Sequence, residues 1–447
     1  MSPVPTLRFV ADNRRLLAFG LLTALFSSFG QTFFIGTFGD VLREEFSLSA
    51  GQFGGLYSLA TLGSAIALTW TGRQFDRMPL RRYVTWVALG LVVACVLMST
   101  ARSVWMLGLA LFAMRQTGQG LMSHTSSTSM ARAFDSARGR ALSIAVMGYP
   151  LGQAVLPAIV VAGMARVGWR VVWAVVAAAV LVGVVPLLRG LLRGGLGDAP
   201  VVEPERDGAS GDGEADDREG ATRVLGPTPR VDAPSADTAG VTGVEWTRGR
   251  VLRDPRFWLV IPAAIAPGVI LTGIFFHQAE LVAAKGWDMA TWTALFTIFA
   301  ACQIAGSLGA GPLVDRVTAR AVLPFFLLPM TAGLVLFALG DGMGVWLAPA
   351  FLALQGITAG LSMTLGGALW AELYGVRHLG AIRATVTSFG ILGTAASPVG
   401  MGALIDLGVG AAALAWLAVG YLALATLGVL VGLNLDRPDG LTAGPGA

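Results

Sequence analysis

Twelve runs of about 20 predominantly apolar residues follow one another along the chain, each long enough to cross the hydrocarbon core of a bilayer as a helix. They fall at about 15–38, 50–71, 83–101, 104–128, 140–163 and 168–189, and after a polar gap at about 257–282, 290–313, 320–340, 344–370, 380–404 and 411–434. In hydrocarbon a backbone must satisfy its own N–H and C=O groups, so such runs fold as helices. Composition agrees: 55% of the 447 residues are hydrophobic and 13% are charged, with a mean hydropathy of +0.69. That charged share is about half the usual one, which excludes a cytosolic enzyme and a disordered scaffold. The apolar run after the basic Met1–Arg15 segment is too long for a signal-peptide core and ends in no clean cleavage pattern, so it reads as a retained first span. Cys95 and Cys302 lie inside apolar runs and read as small packing residues rather than a disulfide framework.

Charge placement sets the expected orientation. With the N-terminus inside, the outer loops hold only Arg43, Arg102, Arg166, Arg170 and the single lysine, Lys285. Nearly all other basic residues then fall on the inner side, which puts both termini in the cytoplasm and supports an even span count. The gap at about 190–256 has another character. It runs through Glu203, Glu205, Asp212, Glu214, Asp216, Asp217 and Glu219 among many Gly, Pro and Ala, and is expected to be a disordered cytoplasmic linker. No dense basic patch points to nucleic acid.

The halves repeat each other. Gly72–Arg73–Gln74–Phe75–Asp76–Arg77 after span 2 matches Gly311–Pro312–Leu313–Val314–Asp315–Arg316 after span 8, at an offset of 239. Ser49 and Asp288, at the same offset, are placed to cap the starts of spans 2 and 8. Gly120 matches Gly360 at 240, and Gly139, Gly152 and Pro157 match Gly380, Gly393 and Pro398 at 241. The expected fold is an all-α membrane protein of 12 transmembrane helices in two six-helix bundles related by pseudo-two-fold symmetry. The bundles are 1–189 and 257–447, the latter with a cytoplasmic tail. Parallel halves of this kind hold a substrate site at mid-depth between them.

At these residues the chain resembles the major facilitator superfamily. The carrying motif is Gly-x-x-x-Asp-Arg between spans 2 and 3, with Arg81 and Arg82 at its basic end and a second copy, with Arg320, between spans 8 and 9. Pro79 stands where the family has Gly, Gln74 where it has Leu, and Thr318 at the later Gly position of the second copy. The resemblance implies rocker-switch alternating access, with Gly72, Asp76, Arg77, Gly311, Asp315 and Arg316 as gating residues and Asp76 latching onto the start of span 11. Simple basic anchoring of the loop is the alternative. Arg115–Gln116–Thr117–Gly118–Gln119–Gly120 resembles the family's span-4 Arg-Gly motif, shifted by one, whose Arg assists proton coupling in some members.

Arg115 lies roughly 16 Å into span 4 at 1.5 Å per residue. A charge at that depth is expensive and is expected to face a cavity, or else to tie down span 1 carbonyls. The other polar candidates for substrate contact are Gln31, Gln119, Tyr149, Gln153, His277, Gln278, Gln303 and Gln355, the last aligned with Arg115 at offset 240. His277, Glu280 and Arg115 are the candidates for proton coupling, against a reading of the first two as solvated at the water boundary. His124 is a candidate for the inner vestibule. Glu372 and Arg383 flank the loop between spans 10 and 11, where they either pair as a gate or face the cytoplasm. Gly and Pro in spans 5 and 11 suit bending or close packing equally.

No Gly-rich phosphate loop with its lysine exists, three scattered histidines make no metal centre, and no filter repeat marks a channel. The expectation is a secondary active transporter of a small organic solute, with no cofactor. It is expected to work as a monomer in the cell (inner) membrane, with the bilayer, the solute and protons as partners. The lone mid-depth cation favours a carboxylate anion, and the chain looks faintly like monocarboxylate and oxalate–formate carriers, although span 8 lacks their charged residue. The alternatives are a proton-coupled drug or metabolite exporter and a non-transporting solute sensor.

Overall fold

The computed structural model describes residues 4–134, 137–193, 246–340, 342 and 344–435; most of the segment read as a linker lies outside them. Among the described residues every regular element is helical. Seven helices are long and apolar enough to cross a membrane, or eight if the bent pair Arg14–Gly30 and Thr32–Phe46 counts as span 1. One of the seven, Arg138–Leu191, holds spans 5 and 6 and is broken at Gly168, whose φ of 77° suits a residue without a side chain.

Three further spans complete the set. Span 2 (Ala50–Thr71) is diluted by Gly, Ser and Thr. Span 4 is assembled from Val104–Met114, a π-helical Arg115–Met122 and Ser123–Ala133. Span 9 has a short apolar helix, Leu328–Leu339. With span 3 (Leu80–Ser99), span 7 (Pro255–Phe276), span 8 (Met289–Val317), span 10 (Leu347–Tyr374), span 11 (Leu379–Asp406) and span 12 (Ala411–Asn434), the architecture is the twelve-helix, two-bundle one.

Both caps expected from the repeat are present. The Ser49 hydroxyl accepts the Gln52 N–H and the Gln52 side chain accepts the Ser49 N–H, a capping box at the start of span 2. The Asp288 carboxylate accepts the Thr291 N–H at 2.8 Å, and this hydrogen bond holds its carboxyl below the usual range.

The face that carries Arg14, Leu191, Arg248 and Asn434 is termed the terminal face, and the opposite one the far face. The bundles meet mainly along spans 2 and 11. Gly54 lies against the Pro398 carbonyl and Gly402 against the Ala50 carbonyl, so closely that a Cβ at either would collide with backbone oxygen. The Ser58 hydroxyl, 2.8 Å from the Gly54 carbonyl, also donates across the seam to the Ala395 carbonyl at 2.5 Å. Gly36 of span 1 touches the Phe275 carbonyl of span 7, and span 5 packs on span 8. These seams between spans 1, 2, 7 and 11 lie on the far half. The terminal-half helices Arg14–Phe26, Ser123–Ala133 and Arg138–Val146 pack within their own bundle. The bundles therefore close on each other at the far face and part toward the terminal face.

Candidate functional site: a polar cavity between the bundles

Span 1 stops being a helix at mid-depth. A 3-10 turn over Ser27–Gly30 ends at Gln31, which is extended (φ −83°, ψ 153°), and the axis bends by 45°. Such a break leaves backbone carbonyls without their helical partners and needs a polar group nearby. Span 4 supplies one. Its π-helical turn begins at Arg115, and Gly30 and Gly118 bring the two backbones into contact. The Arg115 guanidinium donates to the Gly30 carbonyl at 3.1 Å and lies 5.0 Å from the Tyr57 ring centroid. Tyr57 is held in turn by a 2.7 Å hydrogen bond to Thr32. Arg115 therefore ties span 1 as well as facing the cavity.

The cavity holds about 180 Å³. The first bundle contributes Gln31, Thr32, Phe33, Arg115, Gln119, Tyr149 and Gln153 to its wall; Thr272, Phe275, Phe299, Gln303 and Thr394 are among the residues from the second. Six of the nine expected substrate residues are brought together here. Among the described residues Arg115 is the only charged side chain in the wall. Several polar atoms are buried without a hydrogen-bond partner: Arg115 Nε, Gln153 Oε1 and Nε2, and Gln303 Oε1. Buried polar groups are nearly always satisfied, so these atoms are open to hydrogen bonds from whatever fills the cavity.

The other three expected substrate residues lie elsewhere. The helix of span 7 ends at Phe276, the chain turns at His277, and a new helix runs over Gln278–Ala284. That turn carries His277, Gln278 and Glu280 out of the cavity wall and into the closed far half. Gln278 Nε2 donates across the bundles to the Phe33 carbonyl at 2.8 Å, while its Oε1 accepts from Trp292 Nε1 at 2.9 Å. His277 Nε2 is 2.8 Å from the Pro398 carbonyl, which can only accept, so that nitrogen carries the hydrogen. His277 Nδ1 is 3.9 Å from a Glu280 oxygen that also accepts from Arg43 at 2.8 Å, bridging the bundles. Gln355 is buried within the second bundle. Thr358 accepts the Met330 N–H at the first turn of span 9, and Gln355 donates to the Met330 carbonyl at 3.2 Å. The irregular start of span 9 has recruited it.

At the terminal face Asp76 pairs with Arg132 of span 4, and Arg132 also lies 5.0 Å from the Phe75 ring centroid. The expected contact with the start of span 11 is not made here, because the bundles part on that side. Arg77 is exposed beside this pair. His124 is half-buried and packs edge-on against Phe75. In the second copy Asp315 and Arg316 are exposed and a Cβ on Gly311 would meet nothing, whereas one on Gly72 would meet the Leu68 carbonyl oxygen at 2.8 Å. There Glu372 accepts the Ala319 and Arg320 N–H groups at 2.8 and 3.1 Å. Arg383 donates to the Gly367 carbonyl at 3.0 Å, so Glu372 and Arg383 do not form a pair with each other. Arg132 and Glu372 stand at offset 240, a match the repeat contained and sequence reasoning passed over.

The architecture is shared with solved transporters. A bacterial homolog of the human lysosomal transporter Spinster, inward-facing and unoccupied, superposes with TM-score 0.58 at 16% identity, covering 94% of this chain and 96% of that one. Its inward-facing, occupied form gives 0.60 at 16% identity over 95% and 97%. A point variant of the nucleoside transporter NupG gives 0.66 at 12% identity over 94% and 99%. No curated protein sequence matches the chain. The sequence model of the Major Facilitator Superfamily matches residues 20–294, more than half the chain, and the chain belongs to that superfamily.

Proposed function

We propose that the protein is a secondary active transporter of a small organic carboxylate, working by rocker-switch alternating access. The observation that carries this reading is Arg115, the only charge among the described residues of the cavity wall, with an unpartnered Nε beside the unpartnered amide of Gln153 and the unpartnered Oε1 of Gln303, whose Nε2 reaches Met363 Sδ at 3.9 Å. A carboxylate has two acceptor oxygens. One matches the guanidinium, and the other matches the open amide N–H of Gln153 from the first bundle or the second amide hydrogen of Gln303 from the second. A ligand held from both sides binds across the seam on which rocking turns. A cationic solute would meet a positive charge with no acid to offset it.

With the terminal face taken as cytoplasmic, the arrangement corresponds to an inward-facing state, sealed outside by the Gln278–Phe33 and Arg43–Glu280 contacts. Protonation of Glu280 would remove the charge that holds Arg43 and loosen that seal. Proton coupling is placed there, with His277 as the neighbouring titratable group and Arg115 as the substrate-side partner.

The test is a thermal-shift panel on the detergent-purified protein, setting small carboxylates against neutral and cationic amphiphiles, since a ligand that prefers the folded state raises its stability. Stabilisation by carboxylates, with uptake into proteoliposomes, is the expected result. Stabilisation by amphiphiles alone favours a drug or metabolite exporter. Saturable carboxylate binding without flux favours a solute sensor.

A further inference from the structure

A second polar recess lies outside the central cavity, between the terminal-face ends of spans 3 and 6. It is a groove of about 390 Å³ lined by Pro79, Arg81, Arg82, Thr85, Trp86, Leu89 and Arg189. Arg81 and Arg82 belong to the first turn of span 3, where exposed N–H groups already favour an anion, and Arg189 to the last turn of span 6. Three guanidinium groups thus share one groove, and none pairs with an acid among the described residues. Arg81 Nε is buried with no hydrogen-bond partner. Placing three cations together is unfavourable unless something anionic joins them.

The groove changes character with depth. Thr85 turns its hydroxyl back to the Arg81 carbonyl at 2.7 Å, so it offers the groove no donor. Trp86 is 60% exposed, an amphipathic ring of the kind that settles at the membrane–water boundary. Leu89 lies one turn further in. From Arg82 to Leu89 is about 10 Å along the helix, from the level of a headgroup phosphate toward that of acyl chains.

We propose that this groove binds one anionic phospholipid. Its phosphate sits on Arg81, Arg82 and Arg189, and an acyl chain lies along Trp86 and Leu89. Free phosphate would satisfy the cations and leave the apolar wall uncovered. A zwitterionic lipid would bring its own ammonium into a cluster that is already positive. The site backs onto the loop between spans 2 and 3, since Tyr83 of span 3 packs edge-on against Phe75, next to the Asp76–Arg132 pair. A lipid held here braces that loop from behind. The proposal does not depend on the identity of the transported solute.

The test is native mass spectrometry of the full-length, delipidated protein titrated with phosphatidylglycerol, with phosphatidylcholine and with inorganic phosphate. Phosphatidylglycerol should bind about tenfold or more tightly than phosphatidylcholine. The preference should vanish in the variant Arg81→Gln/Arg82→Gln/Arg189→Gln and persist in the far-face control Arg102→Gln/Arg166→Gln. Equal binding of the two lipids, or an undiminished preference in the triple variant, overturns the proposal. Binding of inorganic phosphate as tight as that of phosphatidylglycerol overturns the lipid assignment. Should the triple variant fold poorly, phosphatidylglycerol with brominated acyl chains gives an independent reading. It should quench the parent's tryptophan emission more than that of Trp86→Phe, and equal quenching contradicts the site.

Discussion

The Asp406 carboxylate and the Ser49 hydroxyl are 357 residues apart in sequence and 2.6 Å apart in space. The same carboxylate accepts the Ala50 and Gly51 N–H groups, each at 2.9 Å. The last residue of span 11 thus caps the first turn of span 2 from the other bundle, where an anion meets the positive end of the helix dipole. The cap joins the two bundles at the closed far face, and opening that face would break it.

Asp406→Asn should therefore shift the population toward a far-open state. Spin labels on cysteines at the exposed positions Val167 and Leu407, with Cys95 and Cys302 replaced, report the width of the far face. The variant should show a longer-distance population. An unchanged distance distribution would mean that the cap contributes nothing to closure.

Gly54→Ala and Gly402→Ala act on the same seam by sterics. Each added methyl meets a backbone oxygen of the opposite bundle, which cannot rotate aside as a side chain does. Both should widen the far face more than Asp406→Asn does, with a lower melting temperature in the apo form. The same labelled pair measures the first effect and a thermal melt the second.

Gln153→Leu separates a ligand-binding role from a structural one. Both polar atoms of Gln153 are buried and unpartnered, so an apolar replacement of similar size should leave the apo melting temperature unchanged or raise it. The stabilisation by a bound carboxylate should shrink at the same time. A fall in apo stability with full ligand stabilisation would make Gln153 a packing residue.

Glu280→Gln mimics the protonated carboxyl opposite Arg43. Flux driven by an imposed pH gradient should drop to the level seen without the gradient, while equilibrium binding of the substrate stays near the parent value. Gradient-driven flux equal to that of the parent would remove Glu280 from coupling.

The fold was legible because its signals are long and repeated. Twelve apolar runs, an offset of 239 to 241 between the halves, and the capping residues Ser49 and Asp288 all point to the same two-bundle chain. The cavity was legible where polar residues interrupt an apolar helix, singly as with Gln153 and Gln303 or as a run beginning at Arg115. It was misread where the helix was not continuous. The break at His277 swings three polar residues into the seam, and the irregular start of span 9 draws Gln355 away from the cavity. Neither interruption leaves a mark in hydrophobic periodicity. The Asp406 cap was invisible for a different reason: an acid at a helix end reads as solvated unless the helix start facing it is known.

The most direct test of the central claim is isothermal titration of the best-stabilising carboxylate against the parent and Arg115→Gln. A hydrogen bond to a charged group contributes about 1.5–3 kcal/mol. The variant should stay folded and lose about tenfold to a hundredfold in affinity. A folded Arg115→Gln protein that binds the carboxylate as tightly as the parent would contradict the account and leave Arg115 only its bond to the Gly30 carbonyl.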